Sequence, residues 1–143
     1  MTLYDLFVPG DPKGQPRPRA FARKGFGARV YDPGTAEHWK GEIAVCFPRQ
    51  GAGLVGPLSV WLRFLFKRPQ AHARKDGTLK PTSPAWHTAK PDSDNAAKAV
   101  LDCLTTIGVW RDDAQVAELH VTKKYADPGC STGCQITILS LEQ

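Results

Sequence analysis

The clearest pattern along the chain is an alternation of side-chain types from Leu58 to Arg68, "LSVWLRFLFKR". The uniformly apolar positions are Val60, Leu62, Phe64 and Phe66, and the intervening positions are Trp61, Arg63, Leu65 and Lys67. Because successive side chains of a strand point to opposite faces of the sheet, this spacing predicts a β-strand with one buried face. The length and apolar character of that face predict a central position in the sheet.

Three further segments have the composition of strands. These are "LYDLFV" near the start, "VAELHVTKKY" and "CQITILSLE" near the end, and turn signals such as "PGDP" and "DPGCSTG" bound them. In the second segment the apolar set is Ala117, Leu119, Val121 and Tyr125, and the polar set is Glu118, His120, Thr122 and Lys124. We therefore expect four main strands.

Two segments show helical spacing. In "GTAEHWKGEIAVCF" the residues Trp39, Ile43 and Cys46 or Phe47 recur once per turn, and Thr35 is the expected cap. A second helix is predicted from Ser93 to Gly108, and its buried side is expected to carry Ala97, Val100, Leu104 and Ile107. The resulting element order predicts one mixed α+β domain over residues 1–143, with two main helices packed on a small mixed sheet.

Two stretches do not follow either period. Residues 17–31 form a basic arm rich in proline and glycine, in which cations alternate with Phe21, Phe26 and Tyr31; its candidate DNA-binding residues are Arg17, Arg19, Arg23, Lys24 and Arg29. We expect a loop and an irregular hairpin that is either simply exposed or a phosphate-contacting arm. Residues 69–91 form a long loop, which in a small domain is either functional or mobile. Within it, His87 either approaches a metal or a phosphate or, as is more common for a loop histidine, is simply exposed. Trp86 is either exposed or over the site.

Charge and composition narrow the classes of partner. The net charge of +5 and the pI near 9.2 favour an anionic partner such as nucleic acid or an acidic membrane surface. No stretch approaches the roughly 20 apolar residues of a membrane span, and the start does not resemble a signal peptide. We therefore expect a cytoplasmic protein with reduced cysteines and no membrane partner.

Carboxylates cluster around the second predicted helix. Asp94, Lys98 and Asp102 lie at i, i+4 and i+8 and share one helical face, and Asp92 directly precedes the helix. Asp112 and Asp113 follow the helix, and we expect the chain to return them toward its start. Each residue alone has an ordinary explanation, since an aspartate stabilises a helix N-terminus and Asp94 with Lys98 is a weak surface ion pair.

The set as a whole is harder to explain without a cation. Two carboxylates about 4 Å apart repel by roughly 4 kcal/mol at an effective dielectric constant near 20. Mg²⁺ or Mn²⁺, which prefer carboxylate oxygens, would offset that repulsion and could support cleavage of a phosphodiester. A basic surface around an acidic cluster fits hydrolysis of a polyanion.

The segment "HTAKPDSDNAAKAVLDCLTTIGVWRDDAQVAELHVTKKY" resembles the RusA family of Holliday junction resolvases, which are common in phages and prophages. The resemblance is dense from His87 to Tyr125 and looser in "VPGDPKGQPRPRA" and "VYDP". It implies that Asp92, Asp94 and Asp113 are the essential, metal-binding acids, that Lys98 is the essential lysine, and that Asp112 and Asp102 are supporting or structural. It further implies a Mg²⁺-dependent homodimer that cuts four-way and branched DNA by paired symmetric nicks during recombination or repair, in a bacterial cell or phage-infected host.

The amino-terminal half and the expanded 69–91 loop depart from the family's shorter members.

Two other functions remain open from the sequence. One is a basic DNA-binding protein with a structural acid cluster and no cleavage activity, and the other is a metal hydrolase acting on small phosphate esters.

Overall fold

A computed structural model describes residues 1–16, 19–23, 27–31, 34–48 and 51–142, and for 19–23 and 27–31 it describes the backbone. The strands are β1 (Thr2–Pro9), β2 (Arg19–Arg23), β3 (Gly27–Tyr31), β4 (Leu58–Phe66), β5 (Val116–Tyr125) and β6 (Gly133–Ser140). The helices are α1 (Glu37–Cys46) and α2 (Ser93–Thr106). Short 3₁₀ turns lie at Gln70–His72 and Asp113–Gln115.

Strand β4 is central, as its alternation predicts. The main sheet has the order β1-β6-β4-β5, with β4 antiparallel to β6 and parallel to β5. Val60, Leu62, Phe64 and Phe66 are all buried, whereas Trp61 and Arg63 are exposed on the opposite face. The parallel pairing requires a crossover between β4 and β5, and the 69–91 loop followed by α2 forms it.

Both helices pack on the face of the sheet that carries the buried side chains of β4. Helix α1 contributes Trp39 and Ile43 to this core, and α2 contributes Ala97, Val100 and Leu104. The two predicted helices and the mixed α+β class are therefore confirmed.

The predicted cap of α1 is wrong. Its N-cap is Ala36 and no side-chain cap bond forms within the described residues, because the chain already turns at Gly34, which has a positive φ of 69°. The amide of Glu37 donates to the Gly34 carbonyl and closes that turn, and Thr35 lies exposed beside it. The local backbone bond thus replaces the side-chain cap.

Strand β5 is confirmed, and its apolar set is only partly buried. Val121 and Tyr125 are partly buried, whereas Ala117 is exposed and Leu119 is 43% exposed. The reason is that β5 forms an edge of the sheet, so its side chains are covered from one side only.

The basic arm contains the expected hairpin, in which β2 and β3 pair antiparallel as a separate two-stranded sheet. Arg19 is in register with Tyr31, and Phe21 with Arg29, while Arg23 ends β2 opposite Gly27. Arg17 and Lys24 lie outside the described residues.

The long 69–91 loop is tied back onto the domain along its length. Arg68 donates to the Pro84 carbonyl at 2.7 Å, the Ser83 hydroxyl donates to the His72 carbonyl at 2.6 Å, and the Tyr125 amide donates to the Ala85 carbonyl at 2.9 Å. The loop therefore delivers its last residues to the carboxyl end of β5, where α2 begins. Over the described ranges, none of the helices has the length and apolar character needed to traverse a bilayer.

Candidate active site

Asp92 occupies the N-cap position of α2 without acting as a cap. Its backbone is extended, with φ −64° and ψ 155°, and its carboxylate accepts no cap hydrogen bond within the part of the chain described. Both carboxylate oxygens instead lie 3.0 Å from the Nζ of Lys90. An aspartate at this position ordinarily binds the first free amides of the helix. The carboxylate of Asp92 points outward instead and binds the ammonium group of Lys90.

Asp94 and Lys98 follow on the exposed side of α2. Both side chains are exposed, and neither forms an ion pair in the described ranges, so the weak i,i+4 pair that the sequence allows does not form. Asp94 lies in the first turn of the helix, two residues after Asp92. The structure therefore brings Asp92, Asp94 and Lys98 to one end of one helix.

A polar cleft of about 470 Å³ opens beside Asp92. It is lined by Gly14, Gln15, Pro16, Thr35, Lys90, Pro91, Asp92 and Asn95. The segment after β1 reaches this site because the Gln15 amide donates to the Asn95 carbonyl at 3.1 Å. Gly14 eases that approach, since a Cβ there would displace the Asn95 side chain and lie 3.0 Å from the Cβ of Pro91.

Gln15 and Asn95 are site residues that the sequence patterns do not reveal. The side-chain oxygen of Gln15 is buried and has no hydrogen-bond partner among the described residues. A buried acceptor left unpaired is costly in a protein interior, so an unpaired one lining a cleft is suited to a donor or cation from a ligand. The only signal in the sequence was the looser match in "VPGDPKGQPRPRA".

Lys123 anchors the loop that carries Asp92. Its Nζ donates to the carbonyl oxygens of Ala89, at 2.8 Å, and Pro91. Partial burial lowers the pKa of Lys123, and the negative charge of Asp92 opposes that shift. Lys123 stands on the inward face of β5 between Val121 and Tyr125, so a lysine within an apolar set was the signal that could have identified it.

His87 is buried, so the common case of an exposed loop histidine does not apply here. Its ring stacks on Phe66 with centroids 3.9 Å apart, and it meets the edge of Tyr125 at 5.0 Å. Burial, reinforced by the positive charge of Lys123, lowers the pKa of the His87 imidazole. His87 therefore packs as a neutral aromatic ring beneath the loop.

Asp112 has a structural role in the turn after α2. Its carboxylate accepts from the Ala114 amide at 2.9 Å, and the Gln115 side chain accepts from the Asp112 amide, which together form a capping box. The same Gln115 side chain donates to the carbonyls of Leu54 and Gly56. This turn fixes the backbone of Asp113, whose side chain is exposed.

Asp113 lies far from Asp92 within one chain, so the expectation that the chain returns it to the start of α2 is wrong. At 1.5 Å per residue the 14 residues of α2 hold its ends about 20 Å apart. Strand β5 gives a similar distance. It begins at Val116, just after Asp113, and its Lys123 binds the carbonyl of Pro91, next to Asp92. The seven residue steps from Val116 to Lys123 span about 23 Å. Accordingly, no group of three or more metal-ligating side chains forms in the described part of a single chain.

Asp102 connects the two helices. Its carboxylate lies 2.8 Å from the Nζ of Lys40, and the side chain of Lys40 is largely buried at 14% exposure. Eight residues of helix separate Asp102 from Asp94, a rise of about 12 Å. Of the two roles that the sequence allowed for Asp102, the structure supports the structural one.

The family model described as endodeoxyribonuclease RusA matches residues 9–138 of the 143-residue chain. The matched range includes Asp92, Asp94, Lys98 and Asp113. A search of curated proteins finds no match.

The anchoring role of Lys123 predicts a loss of stability in Lys123→Met. Two carbonyl oxygens would lose a charged donor, so we expect the free energy of unfolding to fall by about 1–3 kcal/mol in urea denaturation. Lys123→Arg, which keeps a donor, should recover part of the loss, and Lys75→Met, at an exposed position in the same loop, should stay within about 0.5 kcal/mol of the parent. Equal urea midpoints for Lys123→Met and the parent would refute the anchor.

Burial of neutral His87 predicts that acid destabilises the fold. The unfolded chain, with an ordinary histidine pKa of 6.5, binds a proton more readily than the folded chain, in which that pKa is lowered. This contribution to stability is present above pH 6.5 and is lost as the pH falls toward the folded-state pKa. Urea midpoints measured from pH 7.5 to 5.0 should decline less steeply in His87→Phe, which keeps the ring stack; an unchanged slope would contradict this account.

Proposed function

The chain belongs to the RusA family of endodeoxyribonucleases, which act on branched DNA junctions, and we propose that it resolves four-way junctions by paired, Mg²⁺-dependent nicks. The observation that carries this proposal is the orientation of Asp92. It sits where an aspartate would cap a helix, yet it faces a polar cleft and binds an ammonium group with both oxygens. That carboxylate is arranged to hold a cation.

The donor set at this end of α2 fits a hard divalent cation. Asp92 and Asp94 offer carboxylate oxygens, which Mg²⁺ and Mn²⁺ prefer. The side-chain oxygen of Gln15, which has no partner among the residues described, lines the same cleft as Asp92. When bound, such an ion activates water and stabilises charge on a phosphodiester. The open cleft leaves space for a phosphate group.

Lys98 and the basic arm have separate tasks in this proposal. Lys98 stands one helical turn after Asp94, and its exposed ammonium group stabilises the extra negative charge on the scissile phosphate. The arm, with Arg19, Arg23 and Arg29 on its hairpin, contacts the DNA backbone and supplies affinity. We also assign Arg17 and Lys24 to this surface, as the sequence indicates.

Asp113 joins the site only if a second chain brings it there. Two ligands of one Mg²⁺ lie within a few ångströms of each other, whereas Asp113 and Asp92 are about 20 Å apart along α2. A two-fold axis that crosses α2 near its middle would exchange the two ends of the helix between protomers. We therefore propose a homodimer in which each cation site combines Asp92 and Asp94 with the partner's Asp113, and symmetry provides one site for each of the two strands to be cut.

The cellular setting follows from the family resemblance. We propose that junction resolution serves recombination or repair in the cytoplasm of a bacterial cell or phage-infected host. A basic DNA-binding protein without cleavage activity is the competing function.

One experiment separates the two functions. End-labelled four-way junction and linear duplex of the same sequence are incubated with purified protein in Mg²⁺ or in EDTA. We expect symmetric nicks in the junction that require Mg²⁺, and little cutting of the duplex. Junction binding without nicking in either buffer would favour the binding protein.

The placement of Asp94 predicts that Asp94→Asn separates cleavage from binding. Loss of the carboxylate should lower the junction cleavage rate by at least about 100-fold, while junction affinity, which rests on the basic surface, changes only a few-fold. Single-turnover cleavage and an EDTA binding titration measure the two quantities. Asp127→Asn, at another exposed aspartate, is the control; full cleavage by Asp94→Asn would remove Asp94 from the site.

The exposure of Lys98 predicts that Lys98→Ala is catalytically defective and stable. We expect a large loss of cleavage with a melting temperature within a few degrees of the parent, because surface substitutions usually change stability by less than about 0.5 kcal/mol. Lys75→Ala should affect neither quantity. A clear drop in melting temperature for Lys98→Ala would instead make Lys98 a structural residue.

A further inference from the structure

The face of the sheet opposite the helices carries a second concave site. Both helices pack on the other face, and no further helix in the described ranges covers this one. The hollow has a volume of about 480 Å³ and is separate from the cleft beside Asp92. Its lining residues are Phe7, Arg63, Phe64, Leu65, Trp86, Thr122, Lys124 and Gln135.

Strand register explains why these side chains meet. Arg63 of β4 is in register with Gln135 of β6 and with Thr122 of β5, and Leu65 is in register with Lys124. Trp86 adds a bridge to Lys124 at the free edge of β5. Residues in register share a face of the sheet, so the loop residue Trp86 extends the hollow beyond the last strand.

Two halves of this face differ in chemistry. In one half the polar and aromatic groups satisfy each other, since Trp61 stacks on His120 with centroids 3.7 Å apart and the Ser59 hydroxyl donates to Glu118 at 2.8 Å. In the other half Trp86 is 56% exposed, and the Nζ of Lys124 lies 4.5 Å from its ring centroid. That half contains an exposed aromatic ring and two cations at the rim of an apolar hollow.

The two charged side chains that line the hollow are both cations. Asp5 of β1 accepts hydrogen bonds from the side chains of Gln135 and Thr137 at 2.7 and 2.9 Å, and these bonds, with a smaller contribution from the charge of Arg63, lower its pKa. Glu118 is held by Ser59 and His120 at the other end of the sheet. Arg63 and Lys124 therefore face the hollow as its two charged groups among the residues that line it.

We propose that this hollow binds an unpaired nucleotide of the branched DNA, with its base stacked against Trp86 and its phosphate near Lys124 and Arg63. Exposed aromatic rings combined with cations are the usual surface for single-stranded nucleic acid. The volume lies within the range of small-ligand sites, and Gln135 and Thr122 supply polar groups for base edges. This inference rests on the proposed function, because it requires a junction as the ligand. A junction, unlike a duplex, has bases at its crossover that unstack easily.

The position of Trp86 links this hollow to the active site. It precedes Asp92 by six residues on the same loop, and the stretch between them is fixed by buried His87 and by the bonds from Lys123 to Ala89 and Pro91. Six residues span at most about 20 Å. A nucleotide held at Trp86 is therefore a few nucleotides from a phosphate in the cleft.

A second copy of the chain fits this hollow less well. A two-fold contact places the same patch of both subunits together, so Arg63 and Lys124 would face their own counterparts. Like charges placed across an interface oppose association. The cationic hollow is complementary to DNA instead.

The test is a binding titration in EDTA, which leaves cleavage out of the measurement. The probes are a four-way junction with 2-aminopurine beside the crossover and a linear duplex with the same label. We expect Trp86→Ala and Lys124→Ala each to weaken junction binding about 5- to 100-fold, with a much smaller effect on the duplex, and to abolish the quenching of 2-aminopurine. Lys75→Ala, the matched loss of an exposed cation, should change junction affinity about twofold or less.

A second variant distinguishes loss of the hollow from a folding defect. Thr122→Trp fills the hollow from a partly exposed strand position and should give the same selective loss of junction binding. Equal effects of Trp86→Ala, Lys124→Ala and Lys75→Ala, or equal effects on junction and duplex, would overturn the proposal. So would a fall in oligomeric state of Trp86→Ala by sedimentation without DNA, since a second copy would then occupy this face. Failure of the nuclease function would appear separately, as absence of Mg²⁺-dependent nicking by the parent protein.

Discussion

The parallel pairing of β4 with β5 determines where each carboxylate of the site can lie. Two parallel neighbours need a crossover, and α2 provides it by running back from the carboxyl end of β4 to the start of β5. Residues before α2 therefore lie where the parallel strands β4 and β5 end, and residues after α2 lie where these strands begin. Asp92 and Asp94 belong to the first position and Asp113 to the second. The separation of the acids follows from topology.

The backbone around Asp92 is held in place by contacts that do not involve the carboxylates. His87 stacks on Phe66 beneath the loop, Lys123 binds the carbonyls of Ala89 and Pro91, and Gly14 lets the segment after β1 approach Asn95. Each of these groups fixes backbone on one side of the cleft. With its backbone held, Asp92 can turn its carboxylate outward at the N-cap, where an isolated helix would use it as a cap. The same loop carries Trp86, which lines the hollow that we propose as a nucleotide site.

Regular patterns in the sequence predicted regular structure well. The alternation in β4 specified its buried face and central place, and the spacing in α2 specified both its core side and the exposed side with Asp94 and Lys98. One failure is local, since Thr35 does not cap because Gly34 turns the backbone first. The other depends on a distant contact, since His87 is buried because β4 presents Phe66 to it. The separation of Asp92 from Asp113 follows in part from the length of α2, which the sequence predicted. It also depends on the parallel pairing of β5 with β4, which no local pattern reveals.

In the proposed dimer, each cation site takes acids from two chains. The most direct measurement mixes Asp94→Asn with Asp113→Asn protein, isolates heterodimers through two different affinity tags, and assays Mg²⁺-dependent nicking of a labelled four-way junction. With shared sites, one site of the heterodimer carries both substitutions and the other carries neither, so the account predicts that nicking returns although each parent variant is inactive. If every site were built within one chain, both sites would be defective, and a heterodimer as inactive as its parents would contradict the account.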